Sequence, residues 1–463
     1  MNESTFFLWR DGRKAKKHGP VLMKQRQRAR LAELVAFARQ SSRYYSDLYK
    51  ELPRVVEDPT LLPVTDKMKL MASFDDVVTD PDVTLEKVRA FVGNPDLIGE
   101  RFLGKYLAAT TSGTSGYPGL FVFDDRHLAV STVLLLRAFT EWFTVGEIMK
   151  MLGRGMREAQ IIATGGHYIA IAGGAQAERG GLGRWHARTH QTFSVTTPLP
   201  DLVAELNRFR PALLKGYASV VSMLASEREA GRLQIDPVIV LPIAETLRPS
   251  EWNRIAKAFG SKVRNLYGAS ECGIAAYSCA EGWYHVNSDW TVLEPVDADY
   301  RPTRPGDQSH TVLVSNLANR VMPILRYDLG DSILERPDPC PCGNAMSGIR
   351  VRGRASEALS FTTPSGQTVS IPPLAFELDV PGIELLQTVQ STPASLRVRI
   401  RYVAGADKEG VWRKVHSELT QLLSDHGARD VSVERAEEPP VQAAGGKYRS
   451  VIPQIPGAME AKT

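Results

Sequence analysis

Short apolar runs alternate with amphipathic segments through the middle of the chain. Runs bounded by glycine, proline or polar residues predict strands at 161–163, 212–217, 238–241 and 263–267. Between them, apolar residues at helical spacing predict helices at 220–225 and 249–259. Strands that alternate with helices every ~25–30 residues indicate right-handed βαβ units around a parallel sheet.

The flanking regions have different patterns. Apolar side chains recur every three to four positions over 21–50, which predicts a helix. Period-two alternation at 310–314, followed by frequent turn residues, predicts an antiparallel or barrel-like part. Beyond residue 355, a strand, a helix and a strand are predicted at 396–400, 411–423 and 431–434. We therefore expect an α/β fold with two domains, a large N-terminal domain over 1–354 and a small α+β domain over 355–463.

Composition narrows the class of protein. The 463 residues are 43% hydrophobic and 23% charged, with a formal net charge of +4, which is typical of a globular protein and gives no support to a polyanion partner. Four cysteines are too few for a disulfide framework, and no apolar run approaches the ~18–20 residues of a membrane span. We expect a cytoplasmic protein with no nucleic-acid or membrane partner, as a monomer or homodimer.

Polar or glycine-containing segments lie at or just beyond the ends of three of the predicted strands. They are Lys215–Ser219, Ala244–Thr246 and Tyr267–Glu271. Ligands of open α/β sheets bind at the carboxyl ends of the strands, so these segments are expected to share one edge of a parallel sheet. Upstream, Thr110–Gly119 alternates hydroxyls with glycines, which suits phosphate oxygens but lacks the Gly-Lys-Ser/Thr of a Walker A loop. The alternative for that loop is a flexible surface segment.

Three cysteines and a histidine form a candidate metal site. Cys340-Pro341-Cys342-Gly343 is a compact knuckle, and Cys279 and His285 could supply the two further ligands of a tetrahedral structural zinc site. The alternative is a pair of free thiols in a proline loop. Cys272 is expected to be a buried packing residue.

The order of these segments resembles the adenylate-forming superfamily, and within it the phenylacetate–CoA ligase-like branch. Six segments carry the resemblance: Thr111–Gly119, Ala244-Glu245, Tyr267–Glu271, Arg326–Asp331, Gly353-Arg354 and Gly446–Arg449. Each is weak alone, and their ordered set over residues 110–450 is specific.

The resemblance implies roles for individual residues. Lys447 would stabilise charge on the α-phosphate of ATP, Glu271 would bind Mg²⁺, and Ser356 or Glu357 would be the hinge of a mobile C-terminal domain. ATP would contact Thr111, Ser112, Gly113, Thr114, Ser115, Gly116, Ala244, Glu245, Tyr267, Gly268, Ala269, Ser270, Asp331 and Arg354. The acyl pocket would include Gly165, Gly166, His167, Tyr267 and Gly268, although a lone His167 could equally be a structural histidine. Ser356 departs from the acidic residue usual in the family.

The implied activity is an AMP-forming ligase that uses ATP and Mg²⁺ to activate an aryl or arylacetic acid as an acyl-adenylate, with CoA as acceptor and structural Zn²⁺. Gly366–Pro372 only loosely matches the branch's acceptor loop, so an amine, carrier-protein or other acceptor is the alternative. A non-catalytic zinc-ribbon scaffold is a third reading, but it gives no reason for Lys447, Glu271 and Asp331 to occur together.

Overall fold

The structure is a computed structural model, and it describes most of the chain. The described residues are 5–17, 19–111, 119–164, 167, 188–245, 247, 249–354, 358–362, 366, 368–371, 373–376, 378–442 and 448–454. The helices are α1 Thr5–Lys17, α2 Pro20–Ser41, α3 Arg43–Leu48, α4 Lys67–Ala72, α5 Phe74–Val77, α6 Leu85–Val92, α7 Asp125–Trp142, α8 Val145–Gly153, α9 Leu199–Phe209, α10 Ala218–Glu229, α11 Pro249–Phe259 and α12 Lys408–Asp425. Short 3₁₀ turns lie at Pro59–Leu61, Pro95–Leu97 and Pro373–Phe376.

The strands fall into several sheets. In chain order they are β1 Leu107–Thr110, β2 Leu120–Phe123, β3 Glu158–Ile162, β4 His190–Ser194, β5 Leu213–Tyr217, β6 Ile239–Ile243, β7 Lys262–Val263, β8 Leu266–Ala269, β9 Gly273–Ser278, β10 Tyr284–Val286, β11 Thr291–Val296, β12 Thr311–Asn316, β13 Ile324–Asp328, β14 Asp331–Glu335, β15 Gly348–Arg354, β16 Leu359–Thr362, β17 Thr368–Ile371, β18 Ile383–Thr392, β19 Ser395–Tyr402, β20 Ser432–Arg435 and β21 Val451–Ile452.

The predicted parallel sheet is present. Its strand order is β4-β3-β5-β6-β7, and every neighbouring pair is parallel. Helices α10 and α11 connect β5 to β6 and β6 to β7, as the alternating pattern predicted. The buried strand residues and the inner faces of α9, α10 and α11 form one hydrophobic core.

The antiparallel part is also present, and it packs against the N-terminal helices. One sheet has the order β14-β15-β10-β9-β8, and β11-β12-β13 form a second, antiparallel sheet. The apolar alternation at 310–314 thus corresponds to β12, whose residues are all buried. A single large core joins these strands to β1, β2 and the helices before them.

Two sequence predictions are wrong in detail. The expected single strand 263–267 is two strands, because β7 ends at Val263 and β8 begins at Leu266 in the antiparallel sheet. At Asn265, the backbone N–H donates to the Ser278 hydroxyl and the carbonyl accepts from the Ser278 N–H, which starts the pairing with β9. The expected helix 21–50 is broken at Ser42, whose hydroxyl caps α3 by accepting from the Tyr45 N–H.

The C-terminal part has its own core. Strands β18 and β19 are antiparallel, β20 and β21 add to them in parallel, and α12 packs on the sheet. The strand–helix–strand order predicted beyond residue 355 is therefore confirmed. The boundary between residues 354 and 355 and the hinge residues Ser356 and Glu357 lie at or inside a segment outside the described residues, so these stay predictions.

Candidate active site

A cavity of about 1170 Å³ lies where the parallel sheet, the antiparallel sheet and the C-terminal part meet. Its walls include the ends of β5 and β6, strands β8 and β15, the beginning of β18 and residues 448–450. Small-molecule pockets measure ~300–1,000 Å³, so this cavity has room for more than one small substrate.

The three polar segments predicted at strand ends all line this cavity. Ser219 and Glu245 lie just beyond the carboxyl ends of the parallel strands β5 and β6. The third segment reaches the cavity by a different route, because β8 pairs antiparallel with β9. The prediction that it would lie at the edge of the parallel sheet is therefore wrong, although Tyr267, Gly268 and Glu271 do reach the cavity that the other two segments line.

Asp331, Tyr267 and Arg354 form a hydrogen-bonded group in the wall. The Tyr267 hydroxyl donates to Oδ2 of Asp331 at 2.9 Å, and Nε of Arg354 lies 3.3 Å from Oδ1. Tyr267 and Asp331 are both buried. Burial raises the pKa of Asp331, and the positive charge of Arg354 opposes that shift. Asp331 is thus a carboxylate held in place, with acceptor capacity toward the cavity.

Glu271 is a second buried carboxylate in the cavity wall. The hydroxyl of Tyr327 donates to its Oε1 at 3.2 Å, and the amide of Asn316 donates to its backbone carbonyl at 3.2 Å. Burial raises the pKa of Glu271 above its ordinary value, while Arg354 acts in the opposite direction. A buried carboxylate near one guanidinium and one hydroxyl can bind a hard divalent cation through oxygen.

Gly268 has a steric reason to be glycine. A Cβ at this position would lie 1.9 Å from the carbonyl oxygen of Gly273 on the adjacent strand β9. The register of β8 and β9 shifts between Tyr267 and Gly268, which brings the two backbones close together. Any larger residue would therefore displace β8 and the cavity wall that it forms.

Two further residues of the cavity wall did not emerge from the sequence. Asn265 is buried, lines the cavity, and its side-chain oxygen has no hydrogen-bond partner among the described residues. Lys67, near the start of α4, also lines the cavity, and burial lowers the pKa of its amine while Glu271 raises it. The position of Asn265 two residues before Tyr267 was a usable signal, whereas nothing near Lys67 distinguishes it from a surface lysine.

The glycine-hydroxyl loop is described only at its ends. Thr111 lines the cavity, and its hydroxyl accepts from the Gly119 N–H at 2.8 Å. Ser112, Gly113, Thr114, Ser115 and Gly116 lie outside the described residues, as do Gly165, Gly166 and Lys447. Their predicted roles stay predictions.

His167 is buried, and its ring has a backbone partner and an aromatic neighbour. One ring nitrogen lies 3.0 Å from the Asn94 carbonyl oxygen, and the ring packs against Phe91 at 5.2 Å between centroids. Its own carbonyl accepts from the Thr110 N–H. It is not among the described residues that line the cavity, so its assignment to the acyl pocket stays a prediction beside the structural alternative.

The four predicted zinc ligands converge at one place. One ligand atom from each of Cys279, His285, Cys340 and Cys342 lies within 4.8 Å of the others. The Cys279 and Cys340 sulfurs are 3.8 Å apart, which is the edge of about 3.8 Å that Zn–S bonds of ~2.3 Å make in a tetrahedron. His285 Nε2 lies 3.1 Å from the Cys342 sulfur, and Nδ1 lies 3.0 Å from the Met346 carbonyl oxygen. That second contact orients the ring as in metal-bound histidines.

Cys272 lies apart from this cluster and is buried, as the sequence predicted. Among the described helices, none is by itself long and apolar enough to cross a membrane, and α7 and α8 meet that criterion only as a pair bent by 107°.

Comparisons with solved structures identify the fold. The chain superposes on 2-hydroxyisobutyryl-CoA ligase in the postadenylation state, in complex with 2-HIB-AMP, with a TM-score of 0.63 and 19% identity, covering 94% of this chain and 89% of that one. The same ligase in the thioesterification state, with 2-HIB-AMP and CoA, gives 0.52 and 18% over 93% and 89%. The anthranilate CoA ligase AuaEII with anthranoyl-AMP gives 0.51 and 14% over 74% and 64%.

Sequence comparisons are weaker. No protein-family model matches the chain. Protein CapK of Staphylococcus aureus is 25% identical over 222 residues, which are 47% of this chain and 48% of that protein, so the chain matches about half the length of this curated relative. The architecture is nevertheless clear: the chain has the fold of the adenylate-forming enzymes, with a large N-terminal part and a smaller C-terminal part, and the predicted fold is confirmed.

Proposed function

We propose that this protein is an AMP-forming ligase that activates a carboxylic acid as an acyl-adenylate and passes the acyl group to an acceptor. The observation that carries the proposal is the group of Glu271, Asp331, Tyr267 and Arg354 in one large cavity of this fold. These residues come from separate positions along the chain, and each matches a segment of the adenylate-forming pattern.

The chemistry assigns a task to each group. The substrate carboxylate attacks the α-phosphate of ATP and pyrophosphate leaves, a step that depends on positioning and charge neutralisation. Glu271 would bind Mg²⁺, and Asp331 would accept hydrogen bonds from the ribose hydroxyls. The unpartnered side-chain oxygen of Asn265 can accept from the 6-amino group of adenine. Lys67 and Lys447 would supply positive charge for the phosphates.

The substrate proposed is an aryl or arylacetic acid, as in the phenylacetate–CoA ligase-like branch. Apolar and aromatic side chains in the cavity wall support this choice: Ile162, Ala163, Tyr217 and Ile243 all line the cavity, as does Gly268. The ordered segments of the sequence, which resemble that branch, are the further support.

CoA is the acceptor that we favour. Arg350 and Arg352 lie on β15 and line the cavity together with Arg354, and among the described residues neither forms a hydrogen bond or ion pair with a carboxylate. Arg350 lies about 13 Å along the strand from Arg354, beyond the proposed ribose contact. Guanidinium groups at that distance suit the phosphates of CoA. An amine or carrier-protein acceptor is the alternative. An amine acceptor would leave these arginines without a phosphate to bind.

The position of the C-terminal part supports an assignment to one stage of the reaction. The chain superposes better on the ligase in the postadenylation state than on the same ligase in the thioesterification state. We infer that the C-terminal part is arranged as in the postadenylation state rather than the thioesterification state of that ligase, and that acyl transfer requires the C-terminal part to move.

Zn²⁺ is proposed as a structural ion held by Cys279, His285, Cys340 and Cys342. The ligand set and its spacing fit a closed tetrahedral site, which contributes to folding and leaves no position for substrate. It would connect the turn after β9 with the loop between β14 and β15.

Replacement of Lys447 tests the catalytic assignment. Lys447→Ala should reduce adenylate formation at least 100-fold while the Kd for ATP stays within about threefold, because the amine acts mainly on charge that develops in the transition state. Lys414→Ala, on the exposed face of α12, is the matched control. Adenylate formation at the wild-type rate in Lys447→Ala would overturn the mechanism.

A further inference from the structure

Glu245 connects the two parts of the chain at the cavity. Its carboxylate accepts hydrogen bonds from the backbone N–H of Ser219 at 2.7 Å and from the Ser219 hydroxyl at 3.2 Å. The same carboxylate accepts a hydrogen bond from the backbone N–H of Tyr448. Ser219 is buried in the first turn of α10, whereas Tyr448 belongs to the C-terminal part. The Glu245 side chain therefore connects helix α10, which packs on the parallel sheet, to the C-terminal segment at Tyr448.

The backbone before Glu245 has an unusual conformation. Ala244, directly after β6, has a φ of 66°, in the left-handed region that residues other than glycine rarely adopt. Such a conformation persists only where the surroundings hold it, and it redirects the chain as β6 ends. Glu245, the next residue, is anchored by its hydrogen bonds with Ser219 and Tyr448.

The segment that contains Tyr448 is fixed to β18 on its other side. The Tyr448 hydroxyl donates to the Leu386 carbonyl, and the Thr388 N–H donates to the Ser450 carbonyl at 2.8 Å. The side chain of Gln387 donates to the Arg449 carbonyl at 2.9 Å. The segment therefore moves with the C-terminal part, and Glu245 is a hydrogen-bond partner of this segment on the N-terminal part.

We propose that Glu245 is a positioning residue for the adenylation step, and that it acts on the segment carrying Lys447 rather than on ATP. Lys447 directly precedes Tyr448 in the sequence, so a bond that holds the Tyr448 N–H acts on the chain next to the proposed catalytic lysine. This role rests on the proposed function. Because the bond joins the two parts, it breaks when the C-terminal part moves for acyl transfer, and Glu245 is then no longer required.

Hydrogen exchange tests the bond itself. In Glu245→Ala, exchange at the Tyr448 amide, measured by mass spectrometry on overlapping peptides that begin before residue 446 and include Tyr448, should be about 10- to 100-fold faster than in the wild type. Glu281→Ala is the matched control, because Glu281 is an exposed acid in the same cavity wall without a contact to Tyr448 among the described residues. Equal exchange in wild type and Glu245→Ala would overturn the proposal.

The two half-reactions test the role. With an acid that the wild type activates, Glu245→Ala should slow pyrophosphate release about 10- to 100-fold. Transfer of the acyl group to CoA from the supplied synthetic acyl-adenylate should stay within about twofold. Glu245→Gln keeps an acceptor oxygen and should recover part of the lost rate, which also excludes a folding defect.

The outcomes separate this proposal from the proposed function. If both half-reactions fall equally in Glu245→Ala, or neither falls, the positioning role is wrong while the ligase activity stands. If the wild type releases no pyrophosphate with any acid, the proposed function is wrong and the positioning role is wrong with it.

Discussion

The hydroxyl of Tyr267 donates a hydrogen bond to Oδ2 of Asp331 across 2.9 Å, between two residues 64 positions apart in the chain. Burial raises the pKa values of both side chains, and the hydrogen bond gives each of them a polar partner. The bond connects β8 to β14, which lie at the two edges of the same five-stranded sheet, and it fixes the carboxylate that we assign to the ribose of ATP.

Removal of the Tyr267 hydroxyl tests that assignment. Tyr267→Phe leaves Asp331 with fewer donors and a freer side chain, so the Kd for ATP, measured by calorimetric titration, should rise about tenfold. Tyr284→Phe is the control, because Tyr284 lines the same cavity and its hydroxyl makes no hydrogen bond to the described residues that contact ATP in our proposal. An unchanged Kd in Tyr267→Phe would exclude Asp331 as an oriented ATP ligand.

The buried carboxylate of Glu271 should destabilise the folded protein at neutral pH. Its folded-state pKa is raised above the ordinary 4.5, so between these two values the native state holds a proton that the unfolded state has lost. Stability therefore falls as the pH rises through this window, and above the window the buried charge is fully destabilising. Glu271→Gln should raise the Tm at pH 7.5 in Mg²⁺-free buffer by about 2 °C or more, and the gain should vanish below pH 4.5.

Glu271→Gln should also lower the Mg²⁺-dependent activity at least tenfold, because a carboxamide is a poor ligand for a hard cation. Glu281→Gln, at an exposed position of the cavity wall, should change neither the Tm nor the activity. A lower Tm for Glu271→Gln at pH 7.5 would contradict the assigned burial cost.

The cysteine cluster should hold about one zinc ion per chain. Cys340→Ser should abolish zinc binding, measured by elemental mass spectrometry, and should lower the Tm by several degrees because metal affinity contributes to folding. Cys272→Ser is the matched control, since Cys272 lies outside the cluster and should leave the zinc content unchanged. Protein that is folded at wild-type Tm without zinc would refute the site.

Substitution of Arg350 and Arg352 on β15 tests whether CoA is the acceptor. In the variant Arg350→Gln/Arg352→Gln, the KM for CoA should rise about tenfold, because charge-assisted hydrogen bonds to phosphate are lost. The KM for pantetheine, which carries no phosphate, should change little, and this comparison is the control. Equal KM values for CoA in the wild type and the variant would leave these arginines without a role in acceptor binding.

Much of the architecture follows from the sequence because the relevant forces are local. The parallel strands β5 and β6 begin with apolar runs that are followed by glycine or polar residues, and α12 repeats its apolar face at helical spacing. The break between β7 and β8 could not be predicted from residues 263–267 alone. It depends on hydrogen bonds between Asn265 and Ser278, which is the last residue of β9. Long-range pairing of this kind leaves no periodic signal.

The candidate site shows the same division. Asp331, Glu271 and the cysteine cluster were found because acidic and thiol side chains occur in recognisable segments. Lys67 and the link from Glu245 to Tyr448 were not found, because the first is an ordinary lysine and the second joins positions 203 residues apart. Only the tertiary structure shows that a carboxylate expected to bind ATP accepts a backbone N–H from the C-terminal part.

Pyrophosphate release from ATP, measured against a panel of aryl, arylacetic and short-chain acids with and without CoA, tests the central claim most directly. We expect release with at least one aryl or arylacetic acid, AMP as the nucleotide product, and a thioester when CoA is present. Release that is independent of CoA would keep the adenylation chemistry and favour an amine or carrier-protein acceptor. No release with any acid, from protein that binds ATP, would contradict the assignment of this cavity to acid activation.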